Sequence, residues 1–193
     1  LGYKDYSDDS IDYKDDFDYF NNELMKAISV LSNQVIPNNI SKLALVSVPS
    51  STVERDALAT MRKSINCIEN WYDEGKTETD FCCKKEIINC GNLLTRISDV
   101  NTSHLSKTQP MFYDVTTSYK YKSRPSYIEH KESIECSKSE ILERDDVAFV
   151  ILDDISTRGT IMDACEDILI DNGANKENIY KFALFKTKWC NND

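Results

Sequence analysis

Two apolar runs near the end of the chain, VAFVIL at 147–152 and the FALF inside NIYKFALFKT at 178–187, constrain the fold more than any other feature. Neither alternates with polar residues, as a strand facing water on one side would. Strands that are apolar on both faces belong to parallel sheets covered by helices above and below. The segment between them fits that reading. ISTRGT is a turn, and IMDACEDILIDNGA sets Ile161, Ala164, Ile168 and Leu169 on one helical face before stopping at Gly173. Strand, helix and strand in that order predict an α/β fold with a mostly parallel central sheet flanked by helices.

A second unit of the same kind lies upstream. KLALVSVPSST gives a strand from Leu43 to Val48 and a Pro-Ser-Ser-Thr turn, and a long amphipathic helix follows from Val53 to Tyr72. Ala57, Met61, Ile65, Ile68 and Trp71 share its apolar face. Before it, FNNELMKAISVL predicts a first helix from Phe20 to Leu31, with Asn21 or Asn22 as its cap. Residues 73–85 read as charged loop, EIINCGNLLTRI as a helix or strand segment broken at Gly91, and SYIEHKESIECS as a short helix. The whole of 1–193 is expected to be one domain. Residues 1–20 form an acidic, Tyr- and Asp-rich arm; they lack the central glycine and closing glutamate of a calcium loop and are expected to be solvated and partly ordered. Residues 98–125 hold to neither period, and so long a connection is expected to be a flexible loop.

Charge and cysteine usage narrow the classes of function. A formal charge of −10 repels nucleic-acid phosphates, which disfavours general nucleic-acid binding. Seven cysteines, an odd number without the paired two-residue spacing of a zinc site, predict reduced thiols. No apolar run is long enough for a bilayer, and LGYKDYSDDSIDYKDDFDYF lacks the basic-then-apolar order of an export signal. A cytoplasmic protein is the expectation.

The chemistry concentrates in FVILDDISTRGT. Ser156 to Thr160 sit at a helix N-terminus, where unpaired N–H groups and the helix dipole favour an anion. Gly159 allows close backbone approach, and the hydroxyls of Ser156, Thr157 and Thr160 can donate to phosphate oxygens. Asp153 and Asp154 would repel that phosphate unless they faced sugar hydroxyls or a bridging Mg²⁺. A ribose 5-phosphate carries both parts. Four apolar residues, two acidic ones and a hydroxyl-rich turn ending in Gly-Thr resemble the phosphoribosyl pyrophosphate motif of type I phosphoribosyltransferases; the Arg-Gly-Thr ending looks most like amidophosphoribosyltransferases. VSVPSST is similar to the pyrophosphate loop of these families and to its counterpart in ComF-like proteins. LLTRISDVNTSHLS and SRPSYIEHKESI look like the Leu-x-Arg and Arg-to-His-x-x-Ser-Ile segments of ComF-like short domains. The likeness covers roughly residues 40 to 187.

The resemblance implies the type I phosphoribosyltransferase fold with a small hood of uncertain origin. It implies a Mg²⁺-dependent transfer of ribose 5-phosphate from phosphoribosyl pyrophosphate to a nitrogen acceptor such as a nucleobase, with release of pyrophosphate. Asp153 and Asp154 would hold the ribose hydroxyls, Ser156, Thr157, Arg158, Gly159 and Thr160 the 5-phosphate, and Ser50, Ser51 and Thr52 with Mg²⁺ the pyrophosphate. Arg96 and Arg124 are either pyrophosphate clamps or surface ion pairs, and His130 either orients the leaving group or is structural. Lys107, Lys120, Tyr121 and Lys122 belong either to a closing loop or to a solvated insertion. The other reading is a module that binds a phosphoribosyl ligand without base transfer, as a regulatory or antiviral (retron-type) effector. A homodimer or a protein partner fits either reading.

Overall fold

In the computed structural model the described residues are 11–56, 60–73, 83–100, 126–156 and 159–186. Strand β1 (Lys42–Ser47) and strand β5 (Val147–Ser156) lie side by side in parallel at the centre of a four-stranded sheet. Strand β2 (Glu86–Asn89) flanks β1 and strand β6 (Ile179–Lys186) flanks β5, both parallel, so the order is β2-β1-β5-β6. The chain therefore leaves β1 towards one edge and leaves β5 towards the other. Uniform burial of Leu43 to Val46 and of Val147 to Leu152 follows from helices on both faces, as the apolar runs require.

The two faces are distinct. On one, Leu43 and Leu45 of β1 with Ala148, Val150 and Leu152 of β5 meet helix α1 (Ile11–Val30) and helix α3 (Thr60–Asp73), through Leu24 and Ile28 and through Met61, Ile65 and Ile68. On the other, Ala44, Val46, Phe149 and Ile151 pack against Met162, Cys165, Ile168 and Leu169 of helix α5 (Thr160–Asp171). Each fully buried Leu, Ile or Phe side chain contributes about 1.5–3 kcal/mol of transfer free energy. This second face also carries a two-stranded antiparallel ladder, strand β3 (Leu94–Arg96) with strand β4 (Ile134–Cys136), whose Leu94 and Ile134 join the same cluster. Helix α4 (Tyr127–Glu132) precedes β4 and is tied to α5 by Tyr127 bonding Asp167 and by Lys131 pairing with Asp171 at 2.7 Å.

Several expectations change in detail. The first helix begins at Ile11, inside the acidic arm, and ends at Val30, with Phe20, Leu24 and Ile28 in one stripe on the same cluster. The expected helix from Val53 to Tyr72 appears as a short helix α2 (Val53–Asp56) and as α3, with Ala57 between them outside the described residues. The segment around Gly91 is two strands, β2 and β3, joined by a turn, and SYIEHKESIECS is a helix followed by a strand. Strand β5 also runs past its apolar residues, so Asp153 and Asp154 lie inside a strand. The ladder to β6 continues to Ser156 opposite Lys186, and this pairing holds the polar residues extended despite their low strand preference.

Candidate functional site

The pairing of β1 with β5 ends where Ser47 lies beside Leu152 and Val48 N–H donates to Leu152 O at 2.9 Å. Beyond that point, among the described strands, β5 is paired with β6 alone. A crevice therefore opens between the carboxyl ends of two neighbouring strands whose connections diverge, the position at which open α/β sheets bind ligands. One wall is Pro49–Thr52, and the other, among the described residues, is Asp153 to Ser156 with Gly159 and Thr160.

On the β5 wall, strand alternation sends Asp153 and Asp154 to opposite faces of the sheet. Asp153 is half-buried on the α5 face and Asp154 is exposed on the other. Gly159 occupies the N-cap of α5 with φ of 77°, the left-handed region that glycine enters without strain. Among the described residues a Cβ placed there would meet only Ser156 Oγ, at 3.8 Å, so none of them crowds the N-terminus of this 12-residue helix. Among the described residues the first α5 amide to bond back is Asp163, N–H to Gly159 O at 2.9 Å, and the N–H groups of the first helical turn before it lie at the terminus whose dipole favours an anion. Thr157, Arg158, Arg124, Lys107, Lys120, Tyr121 and Lys122 lie outside the described residues.

The β1 wall is held from behind. Every carbonyl of Pro49–Thr52 accepts a hydrogen bond from the protein body. Arg96 Nη2 reaches Pro49 O at 3.4 Å and Arg96 Nε reaches Ser50 O at 2.6 Å. Val100 N–H reaches Ser51 O and Asp56 N–H reaches Thr52 O, both at 3.0 Å. Occupied carbonyls repel an approaching anion less than open ones. Arg96 is 3% exposed, and its remaining nitrogen, Nη1, donates to Ser133 Oγ. Its guanidinium is thus committed to the loop's backbone, which makes it a positioning group behind the crevice. Burial pulls its pKa down, and the carboxylates of Asp56 and Asp99 pull the other way.

Three groups here were not singled out by sequence reasoning. Asp56, 3% exposed, accepts from Ser50 N–H at 2.7 Å, from Arg62 Nη2 at 2.6 Å and from Arg96 N–H at 3.0 Å. Ser133 links Arg96 to α4, its hydroxyl donating to Glu129 O at 2.5 Å. Asp99 caps α2 by accepting from Val53 N–H at 2.8 Å. The Leu-x-Arg and His-x-x-Ser-Ile segments thus meet in the β3–β4 ladder, Arg96 opposite Ile134, directly behind the loop. The only signal available in advance was that both segments resembled the same family.

His130 sits in this layer, half-buried, with Nδ1 buried and unpartnered among the described residues. Burial lowers its pKa, the Arg96 charge lowers it further, and Glu129 opposes both. The folded protein therefore binds a proton at His130 less readily than the unfolded chain. This stabilisation is complete above the ordinary imidazole value near 6.5 and is lost as the pH falls below it. Between about pH 7.5 and about pH 5.5 the melting temperature of the wild type should drop more than that of His130→Gln. Parallel curves would mean that His130 is freely protonated in the folded state.

A shallow hollow of about 180 Å³ lies beside the loop, lined by Ser98, Asp99, Val100, Glu129, Glu132 and Ser133. Its three carboxylates suit an anion badly, so the hollow is not the phosphate site. Burial pushes the Cys165 thiol up to about 12 and Cys90 up to about 11, which keeps both as inert packing groups at neutral pH. Among the described residues no helix is long and apolar enough to cross a membrane, and no three His, Cys, Asp or Glu side chains converge as a metal cage. A scan against protein-family models and a search of curated proteins return no match.

Proposed function

We propose that the protein is a type I phosphoribosyltransferase that moves ribose 5-phosphate from phosphoribosyl pyrophosphate to a nitrogen acceptor and releases pyrophosphate. One observation carries the reading. The described parts of the two segments expected to bind opposite ends of that donor, Ser50 to Thr52 and Asp153 to Ser156 with Gly159 and Thr160, stand far apart in sequence yet flank one crevice at the carboxyl ends of β1 and β5. The N-terminus of α5, with Gly159 open above it, takes the 5-phosphate. Asp153 and Asp154 accept hydrogen bonds from the ribose hydroxyls, and the hydroxyls of Ser50, Ser51 and Thr52 face the pyrophosphate.

Mg²⁺ suits this donor set. It is commonly held by one or two carboxylates together with substrate phosphate oxygens, and because Asp153 and Asp154 lie on opposite faces of β5, one of them, not the pair, would supply the carboxylate. Bound there, it would neutralise charge on the leaving pyrophosphate. The protein's own part is positioning: the walls fix the sugar and the leaving group in one geometry, and the apolar sheet beneath excludes water.

The test is release of pyrophosphate from phosphoribosyl pyrophosphate and Mg²⁺ across a panel of nucleobases and simple amines, with the Asp153→Asn, Asp154→Asn double variant as control. Acceptor-dependent release that the double variant lacks supports the transferase. Binding of ribose 5-phosphate without release under any acceptor overturns the transfer step and favours a regulatory or defence module built on the same site.

A further inference from the structure

We propose that Asp56 is the residue that holds the crevice open. The argument starts from the ladder. In a parallel pair, alternate residues of one strand donate to alternate residues of the other, and β1 reaches its last such bond at Val48 N–H to Leu152 O. Two residues further, Ser50 N–H would reach Asp154 O and zip the walls of the crevice together. Pro49 does not prevent this, since only its own N–H is missing. Ser50 N–H instead turns to Asp56 Oδ1 at 2.7 Å.

Asp56 is suited to this capture. Its carboxylate is almost wholly buried and accepts from the loop, from the β3 backbone at Arg96 and from Arg62 of α3, so its place is fixed from three directions. Arg62 Nη2 in turn donates to Leu94 O at 2.9 Å, which ties the carboxylate to β3 a second time. A charged acceptor binds an amide more strongly than a peptide carbonyl does, so Ser50 N–H prefers Asp56 to the sheet. The Asp56 charge is balanced by Arg62, and Thr52 Oγ1, which accepts from Arg55 N–H at 3.3 Å, keeps its own proton to donate to an anion. Asp56 thus acts through the loop and needs no contact with substrate.

This role rests on the proposed reading of the crevice, and two measurements separate their failures. Calorimetric titration of wild type, Asp56→Asn and Asp56→Leu with pyrophosphate and, separately, with ribose 5-phosphate reads the two walls. Asp56→Leu should bind pyrophosphate at least about tenfold more weakly and ribose 5-phosphate within about twofold of wild type. Asp56→Asn keeps an acceptor for Ser50 and should recover most of the loss. Equal weakening of both ligands, or no weakening, in folded variants overturns the proposal. Amide hydrogen exchange at Ser50 needs no ligand: slow in the wild type, intermediate in Asp56→Asn and fast in Asp56→Leu is the expected order. If the wild type binds neither ligand the phosphoribosyl reading falls, and Asp56 is then judged by this exchange alone, with an unchanged Ser50 rate overturning it.

Discussion

Gly159→Val is expected to lower affinity for ribose 5-phosphate by about ten- to a hundredfold, the cost of a lost charge-assisted hydrogen bond. At φ of 77° a β-branched residue adds about 1–2 kcal/mol of backbone strain, and its methyl groups fill the open space above the helix terminus. Crowding by the described residues is not the cause, since the nearest of their non-neighbouring atoms to an added Cβ is 3.8 Å away. Gly159→Asn separates the two effects, because asparagine tolerates the left-handed region and should relieve the strain while still narrowing the approach. Asp154→Asn belongs in the same titration. It should weaken ribose-bearing ligands yet leave inorganic phosphate bound equally or slightly more tightly, because a nearby negative charge is gone. If both folded variants bind ribose 5-phosphate and phosphate as the wild type does, the crevice beside β5 is not the site.

Arg96→Met should cost about 2–4 kcal/mol in chemical denaturation, well beyond an exposed ion pair. The guanidinium serves Pro49 O, Ser50 O and Ser133 Oγ, and methionine fills the volume while leaving those buried acceptors short of donors. Arg96→Lys should recover only a minor part, because one ammonium cannot reach the loop carbonyls and the α4 side together as the planar fork does. A loss below about 1 kcal/mol would return Arg96 to the status of a surface pair.

The central strands could be read in advance because burial on both faces leaves a pattern that only helix-covered parallel sheets need. Partnership across distance left no such pattern. Asp153 and Asp154 look like a strand's end by preference, and only the one-sided ladder to β6 explains why the strand continues through them. Asp56, in a short polar helix, resembles an ordinary solvated carboxylate. Its meaning depends on donors six and 40 residues away, at Ser50 and Arg96. Arg96 itself was visible as a candidate, and both alternatives weighed for it concerned its charge; its contacts are with backbone carbonyls and a hydroxyl.

The pairing of β1 with β5 also fixes an order of events during synthesis. Ser41, at the foot of β1, bonds Asp146, at the foot of β5, across 105 residues. While the ribosome is still making what lies between, β1 has no inner neighbour and its loop has no opposite wall. Closing so distant a contact is slow, and a strand waiting for its partner exposes an apolar edge meanwhile. A nascent chain released before β5 emerges therefore carries a complete PSST loop and no crevice, and the crevice comes into being only once Val147 and the residues after it have been made.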